Sequence, residues 1–168
     1  MSDKEPVAIN RAKTVLGNLE SETLRAIIAE RMDLRAVIAA LRMRRAKQDA
    51  PSNPWALSRF IPHIRTNWSD PHFRLDNRLP WLREAVMLME QQDPLGLERH
   101  ILGVTFRQLN RHAARHQFDF EAVVIYVLKW NIFDRWARSD AAAAARRFEA
   151  LAQDALGDFS DISLQETA

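Results

Sequence analysis

Residues 118–140, FDFEAVVIYVLKWNIFDRWARSD, decide the fold. Asp119 is placed to cap a helix, because a short acidic side chain can accept from the free N–H groups of a first turn. Phe120, Val123, Val124, Val127 and Leu128 follow as an apolar stripe of period 3.6. Trp130 and Trp136 close the stretch, and Ser139-Asp140 offers a cap for an Ala-rich helix beyond. Trp130, Phe133 and Trp136 step three residues at a time, so they drift round the helix. They are read as packing or interface anchors, with at least one facing inward. The stretch holds no catalytic constellation and has the make-up of a segment for packing and docking.

Working outward, the same periodicity recurs. Ser21 caps a helix whose apolar face runs through Leu24, Ile27 and Ile28, then Leu34, Val37, Ile38 and Leu41. Asp33 is placed to cap a second helix, with a bend near Met32. Pro51, Pro54, Pro62, Pro71 and Pro80 forbid a long helix between them. Short helices are expected after Asn53 and after Asp70, where an N-cap residue precedes proline. Trp55, Phe60, Ile61, Ile64, Trp68 and Phe73 make this segment too apolar for a free linker, so it should wrap over the core. A helix over 80–92 turns Trp81, Leu82, Ala85, Leu88 and Met89 inward. Asp93-Pro94 starts another over 94–115, with Leu97, Ile101, Leu102, Val104, Phe106 and Leu109 available for packing. The last predicted helix spans 140–156, with Phe148, Leu151, Ala155 and Leu156 inward and Gly157 at its end.

The expected fold class is therefore all-α: one domain, 1–157, of about five to seven helices, joined by short connections that make neighbours antiparallel. Residues 1–20 should pack loosely, around a short helix near 8–16. Residues 158–168 read as an acidic tail carrying Asp158, Asp161 and Glu166. Only 4 glycines punctuate the 168 residues, which favours helix over sheet.

The chain lacks cysteine, so it has no disulfide framework and no thiolate metal site. MSDKEPVAIN lacks the apolar run of a signal peptide, and Ala122–Leu128, the longest apolar run, is too short to span a bilayer. A cytoplasmic location is expected. The net charge of +2 conceals an uneven distribution. Arg35, Arg42, Arg44, Arg45 and Lys47 stand together without an acid among them. The run Arg42, Arg44, Arg45, Lys47 has two readings. It complements the helix dipole at a C-terminus, or it docks an acidic protein. No aromatic residue interleaves it as base stacking would prefer, and no glycine-rich phosphate loop is present, so a protein partner is favoured over nucleic acid. His112 and His116 share the spacing of helical metal sites, but Arg111 and Arg115 crowd them. They read as a solvated basic helix end, and no metal or other cofactor is assigned. Asp134 and Arg138 form a surface pair. Neither paired carboxylates in an apolar setting nor a nucleophile motif is present, so the chain reads as a non-enzyme without a small-molecule substrate.

The 118–140 stretch resembles the C-terminal helix of the C-like family of central-stalk proteins of bacterial V-type (V/A-type) ATPases. Phe118, Phe120, Glu121, Tyr126, Lys129, Arg135 and Trp136 carry the likeness. MDLRAVIAALRMRR is similar to another helix of that family through Asp33, Leu34, Arg35 and Val37, and PWLREAVMLMEQQDPLGLERHILGVTFRQL to the segment between. The resemblance spans residues 20–157. It implies a non-catalytic helical socket of the central stalk, lying peripheral to the inner membrane. Its implied partners are the rotor-shaft subunits above and the membrane rotor ring below. The longer archaeal relatives are nearly twice this size, so this chain offers part of such a socket. The alternative is a small helical adaptor or nucleic-acid binder using the Arg42–Lys47 face.

Overall fold

The structure, a computed structural model, describes residues 4–52 and 55–138, with side chains from residue 9 onward. The chain divides into two compact units, Met1–Lys129 and Trp130–Ala168. The fold is all-helical: five helices precede a sixth, and the described residues contain no strand. They are α1 (Lys4–Gly17), α2 (Glu22–Arg45), α3 (Ile61–Thr66), α4 (Leu82–Glu90) and α5 (Pro94–Ala113). The sixth, α6, occupies 120–138; its residues 120–129 belong to the first unit and 130–138 to the second. The helix expected over 140–156 and the cap expected at Asn53 lie outside the described residues.

In the first unit α5 packs on both α2 and α4, and α3 packs on α2. The core takes from the set the periodicity selects Leu34, Val37, Ile38 and Leu41 of α2, Leu82, Ala85 and Met89 of α4, and Leu97 and Val104 of α5, with Ala40 and Val86 beside them; Trp81, Leu88 and Ile101, from the same set, are only partly buried against it. Ile64 of α3 completes it from the proline-rich segment, together with Phe60, Phe73, Leu75 and Leu79. The N-terminal half of α2 packs less: Leu24 and Ile27 are half-buried and Ile28 is exposed.

Two expectations in this region are corrected. The helix α2 runs unbroken through Met32, and Asp33 caps nothing in it. Asp33 is buried, and its carboxylate accepts from the Ser58 hydroxyl (2.7 Å) and the Arg59 backbone N–H (3.2 Å) while pairing with the Arg59 guanidinium (2.9 Å). A helix-interior acid thus organises the 58–60 turn, which positions Phe60. The second correction is at Asp70. Its carboxylate accepts from the His72 and Arg74 N–H groups (2.9 and 3.0 Å), forming a turn in place of a helix start. Phe73 and Arg74 then take φ of 51° and 55°, the left-handed region in which a helix cannot continue. The short helix of this segment is instead α3, with Pro62 in its first turn.

The segment does wrap the core. Trp55 donates to the Ala36 carbonyl (3.4 Å) and Trp68 to the Gln48 carbonyl (3.2 Å). Trp68 meets Trp55 edge-on at 6.4 Å and Phe73 at 5.7 Å.

Helix ends follow their chemistry. Ser21 accepts from Leu24 N–H (3.3 Å), and Asp93 accepts from Gly96 N–H (2.8 Å) beside Pro94. A Cβ on Gly96 would lie 2.2 Å from the Asp93 carboxylate, so glycine there leaves room for the cap. Both α2 and α4 end in Schellman geometry without glycine. Gln48 N–H reaches Met43 O (3.1 Å) and Lys47 N–H reaches Arg44 O (2.8 Å). Asp93 N–H reaches Leu88 O (3.0 Å) and Gln92 N–H reaches Met89 O (3.2 Å). Lys47 and Gln92 sit at φ 56° and 57°. Exchanging either for glycine is expected to raise stability by roughly 0.5–1 kcal/mol, since the side-chain clash of the left-handed conformation disappears. Urea unfolding of Lys47→Gly and Gln92→Gly measures this.

Candidate partner-binding surface

The first turn of α6 is fixed by side chains from two other helix ends. Asp119 accepts from Ala122 N–H (2.9 Å), the cap its sequence position predicts. His116, just beyond α5, bridges Asp119 (Nδ1, 2.6 Å) and the Thr23 hydroxyl of α2 (Nε2, 2.8 Å). Glu121 hydrogen-bonds the Ser21 side chain. The bond from His116, then the Ala122 N–H, holds the Asp119 carboxyl below the ordinary aspartate value. The Ser21 hydroxyl is the main cause that lowers Glu121.

His116, Asp119 and Glu121 lie close enough together to suggest a metal site. Both His116 nitrogens, however, already face partners, and Asp119 is occupied by the cap. The cluster is better described as a junction between helices. His112 pairs separately with Glu30 (3.3 Å), so the two histidines of the His112-x-x-x-His116 spacing serve different carboxylates.

The sign of the pH response follows. Carboxyl groups depressed in the folded state contribute stability above the ordinary carboxylate range, and that contribution is lost as pH falls through their folded values. The melting temperature is therefore expected to drop as pH is lowered below about 4. Asp119→Asn should lower the melting temperature at neutral pH and flatten this drop. Thermal melts of both proteins from about pH 3 to pH 7 check the outcome.

With its first turn held this way, α6 turns a different face inward than its stripe suggests. Within the first unit Ile125 is the buried residue (1% exposed), and Val124 and Leu128 are half-buried. Lys129 lies over the Phe106 ring of α5 at 5.1 Å. Phe120 (69%), Val123 (61%) and Val127 (50%), three residues of the stripe, are exposed, as are Phe118 and Tyr126. The helix is apolar on two sides. Periodicity alone finds a stripe on such a helix but does not say which side meets the protein; the Asp119–His116–Thr23 junction decides it.

In the second unit Trp130 and Phe133 are exposed, and Trp136 is half-buried with its ring edge-on to Phe133 at 5.7 Å. Asp134 and Arg138 pair as their spacing suggests.

The four cations of the basic run take different positions. Arg42 and Lys47 are exposed at the end of α2. Arg44 donates to the carbonyls of Asp70 and Pro71 (the latter at 2.6 Å) and stacks over Phe73 at 4.6 Å. Arg45 donates to the Met89 carbonyl, at the C-terminal end of α4. Two of the four thus hold the fold together. Arg42 and Arg45 also line a shallow groove with Leu88, Met89, Pro94 and Leu97.

The family model described as "Protein of unknown function (DUF2764)" matches residues 15–155, and the chain belongs to that family. No curated protein and no solved structure matches the chain.

Proposed function

We propose that this protein is a non-catalytic docking component of the central stalk of a V-type ATPase, a helical socket between the rotor shaft and the membrane ring. The observation that carries this reading is the exposed stripe Phe120, Val123 and Val127 on α6. Steps of three and four residues are the spacing of a coiled-coil seam, so the natural occupant is another helix, packing knobs into holes. The stripe lies in the same segment that resembles the C-terminal helix of the C-like stalk proteins. A socket that transmits torque also needs a rigid support. Here α6 is tied to α2 and α5 through Asp119, His116 and Thr23, and to α5 again through Lys129 and Phe106.

No described helix is long and apolar enough to cross a membrane, and this reading places the protein at the membrane surface through its partners. The nucleic-acid alternative is weakened, because Arg44 and Arg45 already hold carbonyl groups of the fold. If the basic end contributes to assembly, it does so through Arg42 and Lys47.

The test is binding of the purified full chain to the purified rotor-shaft subunits and rotor ring of a V-type ATPase from the same source, by calorimetry and gel filtration. Stoichiometric binding to the shaft, the ring or both is expected. Absence of binding to either, at low and moderate salt, rejects the reading.

A further inference from the structure

A second surface, unrelated to the α6 stripe and independent of the stalk reading, has the chemistry of a ligand site. A cleft of about 440 Å³ is walled by α2, α4, α5 and the turns around residues 59 and 78–81. Four arginines and three carboxylates line it. Each carboxylate has a cationic or imidazole partner: Asp33 with Arg59 (2.9 Å), Glu30 with Arg111 (3.4 Å) and Glu84 with His100 (3.1 Å). His100 is buried, and its second nitrogen contacts the Trp81 carbonyl (2.8 Å). Both ring nitrogens therefore face oxygens that only accept.

Arg78 and Arg107 are the remainder. Among the described residues neither guanidinium has a hydrogen bond or ion pair. The cleft thus carries one positive charge in excess. Concave walls concentrate that excess on whatever anion enters. Guanidinium presents planar paired donors that match an oxyanion with several acceptor oxygens.

We propose that this cleft binds the phosphate group of a small molecule between Arg78 and Arg107. A phosphate group matches the sign of the excess charge and presents several acceptor oxygens to the free donors of the two guanidiniums. Trp81, Leu79 and Pro80 at one wall offer apolar surface to the rest of the ligand.

The experiment is isothermal titration of the full chain at low salt with inorganic phosphate, pyrophosphate, adenosine monophosphate and, as a carboxylate control, succinate. Saturable one-to-one binding is expected for the phosphate probes. Tighter binding of the nucleotide than of free phosphate identifies an organic phosphate as the natural ligand, and equal binding identifies the free anion. Arg78→Gln and Arg107→Gln should each weaken binding about tenfold or more, because hydrogen bonds to charged groups are the strong ones. Arg42→Gln, outside the cleft, should change nothing. Melting temperatures of both cleft variants should match the wild type, since neither side chain holds the fold. The proposal is overturned if no phosphate probe saturates, if Arg78→Gln and Arg107→Gln bind as the wild type does, or if succinate or an acidic peptide binds in preference to phosphate.

Discussion

Phe73→Ala is expected to lower the free energy of unfolding by about 3–5 kcal/mol, the cost of removing a large buried aromatic side chain and leaving its cavity. Phe73 has no exposed surface. It lies between the Trp68 ring at 5.7 Å and the Arg44 guanidinium at 4.6 Å, so its loss removes a contact from each neighbour. The backbone at Phe73 is left-handed, and alanine relieves none of that strain. Urea unfolding at neutral pH measures the effect. A cost below about 1 kcal/mol, the range of an ordinary surface substitution, would show that the proline-rich segment does not contribute to the core.

Arg44→Glu is the second large effect, expected at about 3 kcal/mol. Hydrogen bonds from a charged donor contribute roughly 1.5–3 kcal/mol, and a cation over an aromatic ring adds roughly 0.5–1. The substitution removes both and turns a carboxylate toward the carbonyl oxygens of Asp70 and Pro71. The sequence reads this basic run as a complement to the helix dipole or as a docking face; Arg44 instead holds the turn at residues 70–71. Arg42→Glu, at an exposed position of the same helix end, should leave the unfolding midpoint nearly unchanged. Comparing the two variants by urea unfolding separates a structural arginine from a solvated one. Equal midpoints would remove the Arg44 cradle from this account.

The difference between those two arginines shows where sequence reading stops. The helices were legible because their signals are local: Ser21, Asp93-Pro94 and Asp119 all cap helices, and Leu34, Val37, Ile38 and Leu41 form the buried face of α2. Contacts between residues distant in sequence were not legible. Nothing near Asp33 announces that Ser58 and Arg59 will claim its carboxylate. Nothing near Arg44 announces the carbonyls of residues 70 and 71. The ends of α2 and α4 carry lysine and glutamine where glycine is the usual signal, so their left-handed C-terminal turns have no glycine to mark them. The α6 face was missed for a different reason. It is apolar on two sides, and the anchoring of Asp119 by His116, itself held by Thr23, selects Ile125 for burial and leaves Phe120, Val123 and Val127 outside. The exposed side is the more informative one, because a stripe that does not stabilise its own fold needs another explanation.

The central claim is that this stripe seats a helix of the V-type ATPase stalk. It is tested most directly by Val123→Glu combined with Val127→Glu, compared with the wild type for binding to the purified rotor-shaft subunits. Both positions are exposed, and glutamate favours helix at least as well as valine, so the melting temperature should hold. The double variant is expected to stay folded and to lose shaft binding by about a hundredfold or more, as when charge is placed in the apolar centre of an interface. A folded double variant that binds the shaft as tightly as the wild type would contradict that claim.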